Sequence, residues 1–303
     1  MSTAKRTDLA MEAREILRES AGKTTEIEGV VAREYKRRGC PVTRVEVKNE
    51  MGQEALGKPV GTYVTVEMQG LMRHEEDAFK RSVRAIAEEL TPLLPVGGMY
   101  GVLLAGLGNR EITPDAIGPL AMRDCVVTRH LVDKLPEEFG HMRPVSAIAP
   151  GVLGTTGMES AEVISGVIDH IRPGAVIIVD ALTSRRLSRL CSTVQLADSG
   201  IVPGSGVGNA RAALNRATLG VPVISVGVPT VVDAVTLMAD LTEQAGQPNL
   251  DWKEISKFSG GLMVTPKEID TQVKSLAKVI GYALSVALHP EMSIEDVQGF
   301  LGS

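Results

Sequence analysis

Two aspartates that are far apart in the sequence follow apolar runs typical of buried strands. Val102–Ala105 is one such run, and a glycine-rich turn after it leads to Asp115. Ala175–Val179 is the other, and Asp180 follows it directly. If the two strands are neighbours in a parallel sheet, both carboxylates lie at one sheet edge, where α/β proteins usually hold their sites. Either residue could instead serve locally, as a helix cap or as an acceptor for nearby backbone N–H groups.

Two carboxylates that meet in a poorly solvated cleft share one proton, because they cannot both ionise cheaply. Such a pair can activate a water molecule for attack on a carbonyl and then protonate the leaving nitrogen. Asp115 and Asp180 are therefore candidate catalytic residues for such a hydrolysis, and the local roles given above stay open beside this one.

The other motifs are weaker signals. Gly106-Leu-Gly108 resembles a dinucleotide-binding turn, but Glu111 stands where that motif has its third glycine. The loop Gly204–Gly208 has no Walker lysine, so we interpret it as a special turn or as a surface that substrate backbone approaches closely. The histidines show no paired ligand spacing and the cysteines form no C-x-x-C pair, so no metal site and no cofactor are predicted.

Composition narrows the classes of protein that fit. The 303 residues are 44% hydrophobic and carry a net charge of −5, which is typical of a globular chain and argues against a nucleic-acid binder. Three cysteines without paired spacing favour a reducing compartment, and Met1–Ser20 is too charged for a signal peptide. The longest apolar tract, Leu219–Ala239, contains two prolines and an aspartate, so no membrane span is predicted.

The order of predicted elements indicates an α/β fold with a mostly parallel sheet and helices on both faces. We expect residues 9–303 to form a single domain, in which an N-terminal β-rich extension with a helix (9–98) precedes the sheet core (99–303). The predicted strands are 27–34, 42–47, 63–68, 102–105, 144–149, 175–179, 192–196 and 222–228, and the predicted helices are 9–20, 74–94, 116–135, 159–171, 231–244 and 266–288.

The chain resembles the germination protease (spore protease) family in many blocks that keep their order along the sequence. These blocks are Arg6–Ala10, Gly106–Asn109, Thr113–Ala116, Val127–Leu131, Arg143–Ile148, Pro150–Val152, Asp198–Ile201, Pro203–Asn209, Gly227–Ala234 and Leu262–Glu268. The resemblance implies an aspartic-type endopeptidase whose fold is phosphorylase/hydrolase-like and similar to that of hydrogenase-maturation peptidases. The two acids proposed for the family correspond to Asp115 and Asp180.

The same resemblance implies that the protein is a zymogen that cleaves itself and then degrades small acid-soluble spore proteins during germination. Residues 1–8 would be the propeptide, because Thr7–Ala13 resembles the substrate motif and places the cut between Asp8 and Leu9. Family members also look tetrameric, so a homotetramer in the cytoplasm of the forespore or spore core is expected, with no nucleic-acid or membrane partner.

Recognition of an acid before the cut calls for a basic group, and Arg185, Arg186 and Arg211 are the candidates. Substrate is also expected to contact the glycine-rich loop, which comprises residues 198–209. The predicted substrate-lining residues are Asp198, Ser199, Gly204, Gly206 and Arg185.

Two departures from the family concern Val202, where other members can carry a histidine, and a polar stretch at 246–259 that is shorter here.

Two alternatives remain open at this point. One is a metal-dependent peptidase that uses the same two acids, and the other is a non-enzymatic protein that binds a peptide at the glycine-rich loop.

Overall fold

The computed structural model describes residues 6–21, 27–96, 99–206, 208, 210–246 and 261–302. Most of the predicted propeptide and of the shortened polar stretch at 246–259 lies outside the described residues.

A nine-stranded sheet forms the centre of the described fold. Its strands follow the order β1-β2-β3-β7-β8-β6-β4-β5, and β9 pairs with β8. The strands are β1 (Val30–Arg37), β2 (Cys40–Val47), β3 (Gly61–Glu67), β4 (Val102–Gly106), β5 (Val145–Ile148), β6 (Ala175–Thr183), β7 (Thr193–Ala197), β8 (Val223–Asp233) and β9 (Met263–Val264).

The sheet is mixed rather than uniformly parallel. The pairs β4–β5, β4–β6 and β6–β8 are parallel, as predicted for the core. The N-terminal strands pair antiparallel, and β3 joins β7 directly, so the predicted β-rich extension continues the same sheet. The two residues between β1 and β2 form a short connection of the kind that permits antiparallel pairing, whereas parallel pairs require a crossover.

Thirteen α-helices accompany the strands within the described ranges, and three short 3-10 turns lie at 91–93, 113–115 and 187–189. The helices are α1 (Ala10–Ala21), α2 (Glu50–Leu56), α3 (Gln69–Met72), α4 (Ala78–Leu90), α5 (Ile117–Arg123), α6 (Arg129–Lys134), α7 (Pro136–Phe139), α8 (Leu153–Thr156), α9 (Ser160–Ile171), α10 (Arg216–Leu219), α11 (Ala234–Gln244), α12 (Ile269–Leu288) and α13 (Ile294–Leu301).

Helices cover both faces of the parallel half of the sheet, as predicted. Along β4 the side chains alternate, so that Leu104 packs in the core with α4, α5 and α12, whereas Leu103 packs with Ile164 of α9 on the other face. Helix α1 covers a smaller apolar cluster over the antiparallel half, which includes Val45 and Leu182. The connection from β4 to β5 lies on one face of the sheet, and the connection from β5 to β6 lies on the other. A crevice therefore opens beyond the carboxyl ends of β4 and β6.

Several predicted boundaries are wrong, among them those of β1, predicted at 27–34, and α4, predicted at 74–94. The predicted helix 116–135 divides into α5 and α6, because the backbone N–H groups of Val126 and Thr128 donate to Ser285 and Val145 instead of the preceding turn. The strand predicted to end before Pro229 continues to Asp233. A register shift beside Leu182 and Thr183 lies where Pro229 has no N–H to offer the neighbouring strand.

Candidate active site

Asp115 is held at the crevice by a tight loop after β4. It ends a short 3-10 turn, and its Oδ2 accepts a hydrogen bond of 2.7 Å from the backbone N–H of Asn109. A Cβ on Gly108 would lie 1.9 Å from the carbonyl oxygen of Asp115, and Gly108 has a φ of +111°. Only glycine suits that position, since it combines a positive φ with a close approach of backbone.

Asp180 reaches the crevice from the adjacent strand. Gly106 of β4 lies beside Val179 of β6, so the strands that carry the two acids are neighbours. Asp180 is only 6% exposed, and its Oδ1 accepts a hydrogen bond of 2.9 Å from the N–H of Ala181. It lies inside β6 rather than at its end, because the strand continues to Thr183.

Both carboxyl groups ionise less readily than an aspartate in water, because the pKa of each is raised. Burial raises the pKa of Asp180 well above its usual range, and the negative charge of Asp115 raises it further. Burial also raises the pKa of Asp115, although the Asn109 N–H and the Arg211 charge lower it. These are the two physical causes expected for a pair that retains a proton near neutral pH.

Both acids line a single cavity of about 400 Å³. Its wall combines the loop after β4, the end of β6, the glycine-rich loop and the beginning of the described chain. The residues that carry the argument below are Asp8, Asp115, Asp180, Thr183, Ser205 and Arg211.

The predicted cleavage site lies in this cavity. Asp8 lines it, and the charge of Asp8 contributes to the raised pKa of Asp180. The N–H of Asp8 donates to the carbonyl of Thr183 at 2.9 Å, and the N–H of Thr183 donates to Asp8 Oδ2 at 2.8 Å. Leu9 follows and is fully buried. The structure thus brings Asp8, Asp115 and Asp180 together, and we call residues 6–10 the N-terminal segment.

The glycine-rich loop contributes part of the predicted lining. Gly204 and Gly206 line the cavity with the two acids, and a Cβ on Gly206 would lie 2.1 Å from Asp8 Oδ2. Ser199 lines a second, adjoining cavity that also contains Asp8. Asp198 is exposed, and its Oδ1 accepts a hydrogen bond from the N–H of Thr62. It is not among the described residues that line either cavity.

The three candidate arginines lie in different places. Arg211 lines the cavity and forms a salt bridge of 2.9 Å with Glu159. Arg185 is buried away from it, with its guanidinium held by Asp240 and Glu19, and it is not among the described lining residues. Arg186 forms an ion pair with Glu19 as well.

Lys58 and Gln195 were not predicted, and both contact the N-terminal segment. Lys58 donates a hydrogen bond to the carbonyl of Thr7 at 3.4 Å, and its charge interacts electrostatically with that of Asp8. Burial lowers the pKa of Lys58, whereas Asp8 and Glu12 raise it. Neither residue belongs to a sequence motif, so their contacts with the N-terminal segment are seen only in the folded structure.

Among the described residues, no group of three or more His, Cys, Asp or Glu side chains is arranged to hold a metal ion. No helix in the described part of the chain is both long and apolar enough to cross a bilayer.

The fold and the site together define an α/β protein with two carboxyl groups, one buried and one half-buried, at the edge of its sheet. The sequence profile of the germination protease family matches residues 10–245, which is more than half of the chain. The chain belongs to the germination protease family. Membership identifies it as a peptidase, in agreement with the resemblance found in the sequence.

Individual relatives match over nearly the whole length. The chain is 43% identical to a germination protease of Caldanaerobacter subterraneus subsp. tengcongensis, with 98% of both chains covered. It is 41% identical to one of Clostridium tetani, with 98% of this chain and 99% of the other covered, and 36% identical to one of Bacillus cytotoxicus, with 98% and 97% covered.

Among solved structures, a NiFe hydrogenase maturation protease from Thermococcus kodakarensis KOD1 matches with a TM-score of 0.35 and 19% identity. The match covers 65% of this chain and 98% of that protein.

Proposed function

We propose that the protein is an endopeptidase in which Asp115 and Asp180 hydrolyse the peptide bond after an acidic residue. The observation that carries the proposal is the position of Asp8 in the cavity lined by both acids. Asp8 shares this cavity with the two acids of its own chain, which supports self-cleavage of a zymogen at the Asp8–Leu9 bond.

The reaction follows from the shared proton. The ionised member of the pair takes a proton from water as that water attacks the carbonyl carbon of Asp8. The protonated member then delivers a proton to the nitrogen of Leu9 as the C–N bond breaks. A raised pKa at both acids supports this division of roles, because one group must hold a proton at working pH while the other does not.

Three groups account for a preference for an acid before the cut. The N–H of Thr183 and the hydroxyl of Ser205 donate to the two carboxylate oxygens of Asp8, at 2.8 and 2.9 Å. Lys58 supplies a nearby positive charge in a half-buried setting, where a charge interaction is stronger than in water. Lys58 fits this role better than Arg185, whose charge is already matched by Asp240 and Glu19.

The family supports substrates from spores, and we propose small acid-soluble spore proteins, cut during germination in the cytoplasm of the spore. Residues 1–8 would be the segment removed. A homotetramer is proposed on the family resemblance alone, and sedimentation of the purified protein measures it.

The test is substitution of each acid. Asp115→Asn and Asp180→Asn should each abolish cleavage at Asp8–Leu9 and digestion of spore proteins, measured by intact mass and N-terminal sequencing. Asp169→Asn is the matched control, since Asp169 is exposed on α9 and distant from the cavity lining. Full activity in either acid variant would remove the pair from the mechanism.

Two other functions would give different results when cleavage is measured. A metal-dependent peptidase that uses these acids would lose activity after exhaustive chelation, whereas the proposed mechanism would not. A non-enzymatic peptide-binding protein would keep the Asp8–Leu9 bond intact after long incubation.

A further inference from the structure

The side chain of Gln195 forms hydrogen bonds with the N-terminal segment on both sides of Leu9. It lies on β7, in the middle of the sheet, and is 7% exposed. Its Nε2 donates to the carbonyl oxygen of Asp8 at 3.2 Å, and its Oε1 accepts from the N–H of Ala10 at 2.7 Å. The carbonyl that it contacts is that of the Asp8–Leu9 bond.

The orientation of the Gln195 amide is fixed by its partners. A backbone N–H can only donate, so the amide oxygen must face Ala10. The NH₂ group therefore faces the carbonyl oxygen of Asp8, which can only accept. Lys58 donates to the carbonyl of Thr7, one residue earlier, so its contact is separate from that of Gln195.

We propose that Gln195 is a catalytic residue that stabilises the oxyanion formed at the carbonyl of Asp8, and of the corresponding residue in other substrates. The inference rests on the proposed function. As water attacks, the carbonyl π electrons move onto oxygen, and the Gln195 N–H donates to that oxygen. When the C–N bond breaks, the carbonyl re-forms, and the products are the carboxyl group of Asp8 and the amine of Leu9.

The two contacts of Gln195 serve different steps. The bond to the Ala10 N–H exists before and after attack, so it holds the substrate chain without lowering the barrier. The bond to the Asp8 carbonyl strengthens as negative charge develops on oxygen, so it acts on the rate. A neutral amide also suits this position, because it adds no charge to the peptide-binding groups around Asp8.

The first experiment substitutes Gln195 and follows both self-cleavage and cleavage of a peptide with the sequence of residues 5–16. Gln195→Met should lower kcat about a hundredfold, the usual effect of removing one oxyanion donor, and change KM by less than about tenfold. Gln195→Asn keeps the amide but withdraws it by one methylene, and the same fall in kcat is expected. Gln298→Glu, on the exposed side of α13, is the control, and a thermal melt confirms that each variant is folded.

A second peptide separates the two contacts. It carries an ester in place of the Leu9–Ala10 amide, which removes only the N–H that Oε1 accepts. Wild-type protein should cut it with an unchanged kcat and a raised KM. If the ester lowers kcat as much as Gln195→Met does, Gln195 acts only by holding the chain and the inference is overturned.

The outcomes also separate this inference from the function on which it rests. Cleavage that persists in Asp115→Asn and Asp180→Asn would contradict the proposed function. Inactive aspartate variants together with a wild-type kcat in Gln195→Met and Gln195→Asn would contradict only the role of Gln195.

Discussion

Asp180 places an ionisable group where ionisation is unfavourable, and protein stability should reveal this. Its pKa is raised in the folded chain, whereas an aspartate in the unfolded chain ionises near pH 4. Below that pH the group is protonated in both states. As the pH rises, the unfolded chain releases the proton first, so the folded state loses relative stability until the pH passes the folded pKa.

Asp180→Asn should therefore stabilise the protein at pH 7 relative to wild type, and the gain should shrink towards pH 4. The asparagine oxygen can still accept the N–H of Ala181, so the comparison isolates the charge. Thermal melts of both proteins across pH 4 to 7 measure the difference, with Asp169→Asn as the exposed control. A stability difference that does not vary with pH would contradict the raised pKa.

At the same scale, the sequence reveals the two acids but not the groups that surround the peptide. Asp115 and Asp180 each follow an apolar run, and that pattern alone predicts a position at the sheet edge. Lys58 and Gln195 carry no comparable signal, since one is in a turn between α2 and β3 and the other is on a strand. Their role depends on which strands are neighbours, and β3 and β7 meet only in the fold.

Among the elements, α1 is the one that holds the N-terminal segment in place. Glu12 of α1 is fully buried, and its carboxylate accepts hydrogen bonds from the N–H groups of Arg185 and Arg186, at 2.6 and 3.1 Å. Arg189 adds a salt bridge of 2.9 Å to Glu12 and another to Glu15. A buried carboxylate with this many donors fixes the register of the helix, and hence the position of Asp8 four residues earlier.

Glu12→Gln should loosen α1 without unfolding the sheet. Hydrogen bonds to a charged group contribute about 1.5–3 kcal/mol each, so removing the charge weakens the docking of α1 locally. We expect faster hydrogen exchange at residues 6–21, unchanged exchange in β4 and β6, and slower self-cleavage. Glu138→Gln, on the exposed α7, is the control. Unchanged exchange at 6–21 would show that Glu12 does not anchor the helix.

The sequence predicts most elements because their apolar spacing is regular, as in β4, α9 and α12. It does not predict that β1–β3 complete the same sheet, because strand alternation gives the face of a strand and not its neighbour. The sequence also does not predict the break between α5 and α6, for a related reason. The donors of Val126 and Thr128 find partners that are distant in sequence.

At the scale of the whole molecule, the N-terminal segment places Asp8 in the cavity of its own chain. Its hydrogen bonds include those with Thr183 of β6, Gln195 of β7 and Ser205 of the glycine-rich loop. Asp8 and the two acids that line this cavity thus belong to one chain, and the proposed self-cleavage calls for no second molecule. The rate of self-cleavage is therefore expected to be first order in protein concentration.

The fraction of cleaved protein at a given time should stay constant when the protein is diluted about a hundredfold, as expected for an intramolecular step. Dilution does not distinguish one chain from a stable assembly of several, so a mixing experiment completes the test. Asp115→Asn protein that carries a mass label is incubated with active wild-type protein, and intact mass follows each species. Cleavage within one chain leaves the labelled protein uncut during the time in which the wild type is processed. Cleavage of both species at the same rate would show that the bond is cut between chains, and that the contacts of the N-terminal segment are not those of the reacting state.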